Sequence, residues 1–308
     1  MRIDKKMKQK YLYKVICLAI SLMACTACDD DERGMAVSLD TSACPGEEVR
    51  DVTLWLFDAD DRLQQTFAYP TAEELATALP EVAAGRYTLV AATNIEGRFT
   101  CRATSETTAS RDLLLEYTAE DGIDAAPANV HYGTRAVEVA ADGITRATVP
   151  VKGMLARLAL SVQGLSESVH SVKAEIRNAA TGFYPATGQP SETTKTLTVG
   201  TATPQDTRSP AVAKKAAAAA TETDKLTATF PSAWLMPTVG KALLRLTFDY
   251  GDGLEQSVDV TLDHLATGGD YQATLNYNDA NPEIRLDIVA ISGWAEGGSI
   301  GEGEATEN

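Results

Sequence analysis

Few side chains in this 308-residue sequence are equipped for chemistry: five cysteines (Cys17, Cys25, Cys28, Cys44, Cys101), three histidines (His131, His170, His264) and one tight acidic group, Asp58-Ala59-Asp60-Asp61. None of the histidines has a metal-ligand spacing such as His-x-x-x-His, and none stands beside a nucleophile or base that would make a catalytic pair. His170 and His264 sit in polar surroundings and read as surface residues, while His131 beside Tyr132 reads as part of a strand face. Cys44 and Cys101 have no CxxC partner, which argues against redox or zinc chemistry. The acidic group lacks the glycine and the closing glutamate of a helix–loop–helix calcium site, so it is expected to be a solvated hairpin tip. Gly251-Asp252-Gly253 is a turn and not a phosphate cradle, because no helix follows it. The expectation is no catalytic residue, no metal, no cofactor and no enzyme.

The remaining cysteines carry a different chemistry. Residues 1–14 hold Arg2, Lys5, Lys6, Lys8, Lys10 and Lys14 against Asp4, and residues 15–24 are an apolar run. A basic region, a short apolar core and small residues before a cut form a secretory signal, too short to span a bilayer, which takes about 20 residues. Small residues ending at a cysteine resemble the lipobox of bacterial lipoproteins, in which the cysteine becomes an acylated N-terminus. Cys25 follows Leu22-Met23-Ala24, the better lipobox. Cys28 precedes Asp29-Asp30-Asp31-Glu32, which resembles a surface-export signal. Cutting before Cys28 also leaves an even pair, Cys44 and Cys101, in an oxidising compartment. Cys28 is therefore the expected lipid site, with Cys25 the alternative. A disulfide between Cys44 and Cys101 is expected to tie the N-terminal segment to the first domain, provided the Cα atoms come within about 7 Å.

Removing residues 1–27 takes the formal charge from −16 to near −21. Such acidity disfavours nucleic acid and anionic lipid as electrostatic partners. Acyl chains need no basic residues to hold a membrane, since each buried methylene contributes about 0.8 kcal/mol.

Residues 28–50 are polar and read as a tether. Strands are expected at 52–57, running into the acidic hairpin, at 85–94 behind Gly85, and more weakly at 113–117, 130–132 and 136–139. Thr71 is an N-cap for a short helix over 71–79, with Glu74 three residues on and Pro80 stopping it. Further strands are expected at 148–151, 154–162, 169–176, 226–230, 233–236, 242–250, 256–262, 271–277 and 284–294. Residues 186–225, rich in Thr, Ser, Pro and Lys and carrying the alanine run 216–220, read as a mobile insertion. The tail 295–308 is acidic and reads as disordered. Many short strands separated by turns define an all-β sandwich protein. The expected division is a signal peptide 1–27, a tether 28–50, an N-terminal sandwich 51–150, a C-terminal sandwich 151–294 and the tail.

Taken in order, several stretches resemble one family, the fimbrium anchoring subunits of type V pili, which are outer-membrane lipoproteins related to the fimbrillins. They are Cys28–Glu32 with Cys44 after it, Leu54-Trp55-Leu56-Phe57-Asp58, and Gly85-Arg86-Tyr87-Thr88-Leu89-Val90 closed by Asn94. Met154-Leu155-Ala156-Arg157-Leu158, then Gly269-Asp270-Tyr271 with Leu275 and Tyr277, then residues 288–294, complete the set. The resemblance implies two tandem transthyretin-like sandwiches and a structural subunit, acylated at its first residue and held at the outer membrane, part of a fimbrium at the cell surface. It implies fimbrial shaft subunits as partners, joined by β-strand complementation, in which a strand from one subunit fills an edge of the next. The tail has one large apolar residue, Ile300, and so makes a poor donor strand, which suits a subunit that limits fimbrium length. The alternative is a surface lipoprotein that binds glycans or host proteins, an adhesin.

Overall fold

The computed structural model describes residues 34–102, 108–119, 123–124, 129–206, 226–277 and 286–293. The signal peptide, Cys25, Cys28 and the tail lie outside them. Strands dominate. The first half runs β1 (Gly34–Asp40), β2 (Val52–Asp58), β3 (Leu63–Tyr69), helix α1 (Ala72–Thr77), β4 (Gly85–Thr93), β5 (Phe99–Cys101), β6 (Leu115–Tyr117), β7 (Ile123–Asp124), β8 (His131–Val139) and β9 (Ile144–Pro150). The second half runs β10 (Lys152–Gly153), β11 (Ala156–Leu165), β12 (Ser171–Ala180), β13 (Gly182–Tyr184), β14 (Gln189–Pro190) and β15 (Thr194–Ala202). It continues with β16 (Leu226–Thr229), β17 (Ala233–Leu235), β18 (Leu243–Asp249), β19 (Glu255–Thr261), β20 (Asp270–Tyr277) and β21 (Leu286–Gly293). Among the described residues no helix is long and apolar enough to cross a membrane.

A five-stranded sheet in the order β10-β8-β4-β2-β3 is the frame of the first half. Strand β2 is apolar on both faces, and each face has its own core. Leu54 and Leu56 join Leu89 and Ala91 in a cluster closed by Met35 and Val37 of β1, Leu75 of α1, and Ala147 and Val149 of β9. Trp55 and Phe57 join Val90 and Ala92 in a larger cluster on the opposite face, with Leu113, Leu115, Tyr117 and Phe183. The alternation follows from the two-residue period of a strand. Helix α1 forms as the sequence predicts. Thr71 caps it, its hydroxyl accepting from the Glu74 amide at 3.1 Å, and Leu75 is its one buried residue.

Among the described residues the boundary expected at residue 150/151 is crossed three times, first by β10, which pairs with β8 in the five-stranded sheet. Strands β5 and β6 pair with β13 and β14 in one four-stranded sheet, and β7 pairs with β17 in the sheet β21-β20-β11-β17-β7. The larger hydrophobic cluster runs unbroken from Trp55 to Tyr277. The fourth large sheet, β15-β12-β18-β19, covers the second half. Two stretches quoted for the family resemblance meet here: Arg157 and Asp270 are register partners on parallel strands β11 and β20, with Nη1 to Oδ2 at 3.2 Å. Gly269 leaves room for the Tyr271 ring to fold back, since a Cβ there would lie 2.4 Å from it, and the Tyr271 hydroxyl accepts the Ala266 amide at 2.8 Å.

Two expectations are corrected. The segment 28–50 is not wholly a tether: Gly34–Asp40 is a strand with Met35 and Val37 buried, because Met35, Val37 and Leu39 alternate with small or polar residues. Nor is 186–225 wholly a mobile insertion. Thr194–Ala202 is a nine-residue strand paired with β12 and burying Leu197, Val199 and Ala202. Its threonines are β-branched strand formers, which a reading of polarity alone misses. Residues 207–225 lie outside the described ones.

Candidate functional site

Two features of the N-terminal segment stand out. The first is β1. It lies parallel to β9 over seven register positions, Gly34 opposite Ile144 through Asp40 opposite Pro150, and among the described residues these two strands form a sheet of their own. Its apolar contribution is small. Met35 and Val37 are fully buried, together about 3–6 kcal/mol of transfer free energy, whereas β2 buries Val52, Leu54, Trp55, Leu56 and Phe57. Strand β1 is therefore held far more lightly than the central strands. Gly34 is six residues from Cys28, and six residues span at most about 20 Å.

The second feature follows β1 directly. Two successive turns, closed by the Cys44 amide to the Thr41 carbonyl at 2.9 Å and the Glu47 amide to the Cys44 carbonyl at 3.3 Å, put Cys44 and Glu47 on one side of the loop. Asn94, at φ +60° just past β4, fixes the far end of that loop. Its Oδ1 accepts the Arg50 amide at 2.8 Å, and its Nδ2 donates to the Glu48 carbonyl at 2.8 Å and the Asn129 carbonyl at 2.7 Å. The asparagine that closes the Gly-x-Tyr strand in the sequence thus staples the N-terminal loop to the sheet. His131 opens β8, fully buried, and is the direct cross-strand partner of Thr93 at the end of β4. Its Nδ1 lies 2.8 Å from the Thr93 hydroxyl and its Nε2 lies 2.5 Å from Oε2 of Glu47. The Cys44 Sγ, the Glu47 carboxylate and a His131 ring nitrogen all lie within 4.8 Å of one another.

Cys44 is buried, its Sγ 3.9 Å from the Val151 carbonyl. Burial, reinforced by the negative charge of Glu47, pushes its thiol up to about 11. Cys44 is a free thiol, so the expected disulfide to Cys101 is not made. The reason is placement: Cys44 faces His131 beside the five-stranded sheet, while Cys101 ends β5 opposite Leu115, in the sheet β14-β13-β6-β5. A cleft of about 370 Å³ adjoins the cluster, lined by Ala43, Tyr132, Thr134, Val151, Lys152 and Gly188 among others.

The other residues singled out in the sequence are scattered. Asp58 serves the hairpin turn: its Oδ1 accepts the amides of Asp60 at 2.9 Å and Arg62 at 3.0 Å, and its Oδ2 accepts from Gln64. His170 and His264 are exposed. Gly251-Asp252-Gly253 is the tight turn between β18 and β19, all three residues at positive φ. Sequence reasoning did not bring His131 to Cys44 and Glu47. The chain separation from Glu47 is 84 residues, and the signal that could have joined them is the pairing of the Asn94-terminated strand with the strand that His131 opens.

The described residues form a layered all-β architecture of the sandwich class with one short α-helix, α1. The chain matches the family model "Fimbrillin-A associated anchor proteins Mfa1 and Mfa2" over residues 28–301, and it belongs to that family. Among solved structures its fold is shared with the fimbrial anchor protein Mfa2 from Porphyromonas gingivalis, at TM-score 0.57 and 15% identity, covering 85% of this chain and 96% of that one. A proposed adhesin from Bacteroides thetaiotaomicron aligns with TM-score 0.58 and 13% identity, over 85% of this chain and 95% of that one. A proposed polysaccharide-binding protein from the same organism aligns with TM-score 0.56 and 13% identity, over 86% and 99%. No curated protein matches the sequence.

Proposed function

We propose that the chain is a lipid-anchored subunit, two transthyretin-like sandwiches in tandem, that attaches a fimbrium to the outer membrane. Cys28 carries the acyl chains, with Cys25 the alternative, and the protein stands at the cell surface. The observation that carries the reading is β1. A strand six residues from Cys28 is seated in the first hydrophobic cluster, so the lipid is leashed directly to the folded body. Shaft subunits join by β-strand complementation. The seat of β1 is the acceptor, because among the described residues that strand has a single strand neighbour and it contributes little apolar area. A structural role of this kind calls for no catalysis.

A second reading, a surface lipoprotein that captures glycans or host proteins, draws on the cleft beside Tyr132 and Lys152. Extraction of the native protein in detergent separates the two. The anchor reading expects a ladder of shaft subunits that survives detergent. Retention on an oligosaccharide column with no ladder overturns it in favour of the second.

A further inference from the structure

We propose that Cys44, Glu47 and His131 form a binding site for one divalent transition-metal ion of the zinc class. The donor set is one thiolate, one imidazole nitrogen and one carboxylate oxygen. Sulfur and nitrogen ligands select zinc-like ions over magnesium and calcium, which prefer oxygen alone. In a tetrahedral zinc site, bonds of about 2.0–2.3 Å place neighbouring ligand atoms about 3.4–3.6 Å apart. The three donor atoms already lie within 4.8 Å of one another, with the histidine–glutamate pair at 2.5 Å. With the Glu47 carboxylate as acceptor, the proton shared by that pair is assigned to Nε2, in the place the metal would take. Opening it by about 1 Å asks only for rotation of the Glu47 side chain, which is partly exposed at 27%. The same exposure leaves a fourth position open to water.

The surroundings are those of a metal site. Metal-bound histidines are oriented by a hydrogen bond at the other ring nitrogen, and Thr93 supplies it at 2.8 Å. The protons balance. On binding, the Cys44 thiol releases its proton to solvent, and the His131 proton passes from Nε2 to Nδ1, where it donates to the Thr93 hydroxyl. The ion, one thiolate and one carboxylate then sum to zero charge, which suits a site whose cysteine and histidine are buried.

The consequence for the chain is mechanical, and it rests on the anchoring reading above. Residues 44 and 47 lie just after β1, and His131 belongs to the five-stranded sheet. A metal joining them clasps the lipid-bearing segment to the body behind β1, so a load on the lipid reaches the sheet even when β1 leaves its seat.

The test uses the full mature chain, stripped with a chelator and reloaded with zinc or cobalt. About one zinc per chain is expected, and cobalt should give a thiolate-to-metal charge-transfer band. That band should vanish in Cys44→Ser and persist in Cys101→Ser. Glu47→Gln should weaken zinc at least tenfold, and Thr93→Val by about 10–100-fold. Each variant is first shown to be folded by its thermal transition. Because replacing the buried His131 can unfold the sheet, the decision rests on Cys44→Ser and Glu47→Gln. A folded wild-type chain that takes up neither ion, or equal affinity in those two variants, overturns the site. Zinc should also slow proteolysis within residues 41–50; binding without that protection overturns the clasp. Fimbriae lost from the anchor with the metal still bound would overturn the anchoring reading and leave the site standing.

Discussion

Truncating Met35 to alanine is the sharpest structural probe of β1. The side chain is fully buried in the cluster it shares with Val37, Leu54, Leu75 and Val149. Large-to-small changes at such positions cost about 2–5 kcal/mol, the lost transfer free energy plus the residual cavity. Among the described residues strand β1 has one strand neighbour and otherwise leans on α1 and the Pro80 carbonyl, which accepts the Met35 amide at 3.1 Å. Such a wall can relax into the space, so the lower part of that range, about 2–3 kcal/mol, is expected. In urea, with a slope of about 1–3 kcal/mol/M, the midpoint of the transition that melts the first sheet should fall by roughly 0.7–3 M. Intrinsic fluorescence is a suitable signal, since Trp55 lies in that sheet. Ser38→Ala is the control. It removes a surface contact to Thr148 on the same strand pair and should change stability by less than about 0.5 kcal/mol. Equal, negligible shifts in both variants would refute the placement of β1 in the core.

Asn94→Ala removes three hydrogen bonds and leaves a non-glycine residue at φ +60° without its side-chain support, so a loss of about 2–5 kcal/mol is expected in the same assay. Gly133→Ala places a Cβ 2.0 Å from the Pro150 carbonyl oxygen, a backbone clash that should forfeit most of the soluble yield and show as a lost or much lowered thermal transition. Asp259 accepts a bidentate pair from Arg245 across β18 and β19, at 2.7 and 2.8 Å, and the side-chain hydrogen bond from Arg245 holds its carboxyl below the usual range. A depressed folded pKa adds stability that is present above the unfolded pKa and is lost as pH falls through the folded one. Asp259→Asn should therefore be slightly less stable than wild type at neutral pH and match it in strong acid, with the gap read from thermal transitions across pH; the pair is solvent-exposed, so the gap is small.

Much of the first sheet is legible in the sequence because β2 and β4 carry continuous apolar runs bounded by Asp-rich or Gly-x-Tyr signals. The strand entering the Asp58 hairpin and the Thr71 cap fall where those signals put them, whereas the returning strand β3, with Gln64, Gln65 and Thr66 near its start, was not expected. Strand β1 hid behind the acidic run at 29–32, where only three apolar residues alternate. Strand β15 hid in a threonine-rich stretch whose buried Leu197 and Val199 are spaced for a strand. The joining of the halves through β6–β13 and β7–β17 was not legible, since strands of two or three residues carry no periodicity. The cluster at His131 was invisible for another reason. Its members come from a loop and from a strand end separated by tens of residues, and only the Thr93–His131 register brings them together.

The central claim is that this subunit ties a fimbrium to the membrane through its N-terminal lipid. The most direct measurement is the share of assembled fimbriae found on cells and in the medium, for cells carrying wild type, Cys28→Ala, Cys25→Ala or both changes, with the intact mass of the mature chain taken beside it. The account predicts that Cys28→Ala removes the acyl mass and moves the fimbriae into the medium, while Cys25→Ala leaves both unchanged. Fimbriae that stay on the cell while the subunit carries no lipid would contradict it.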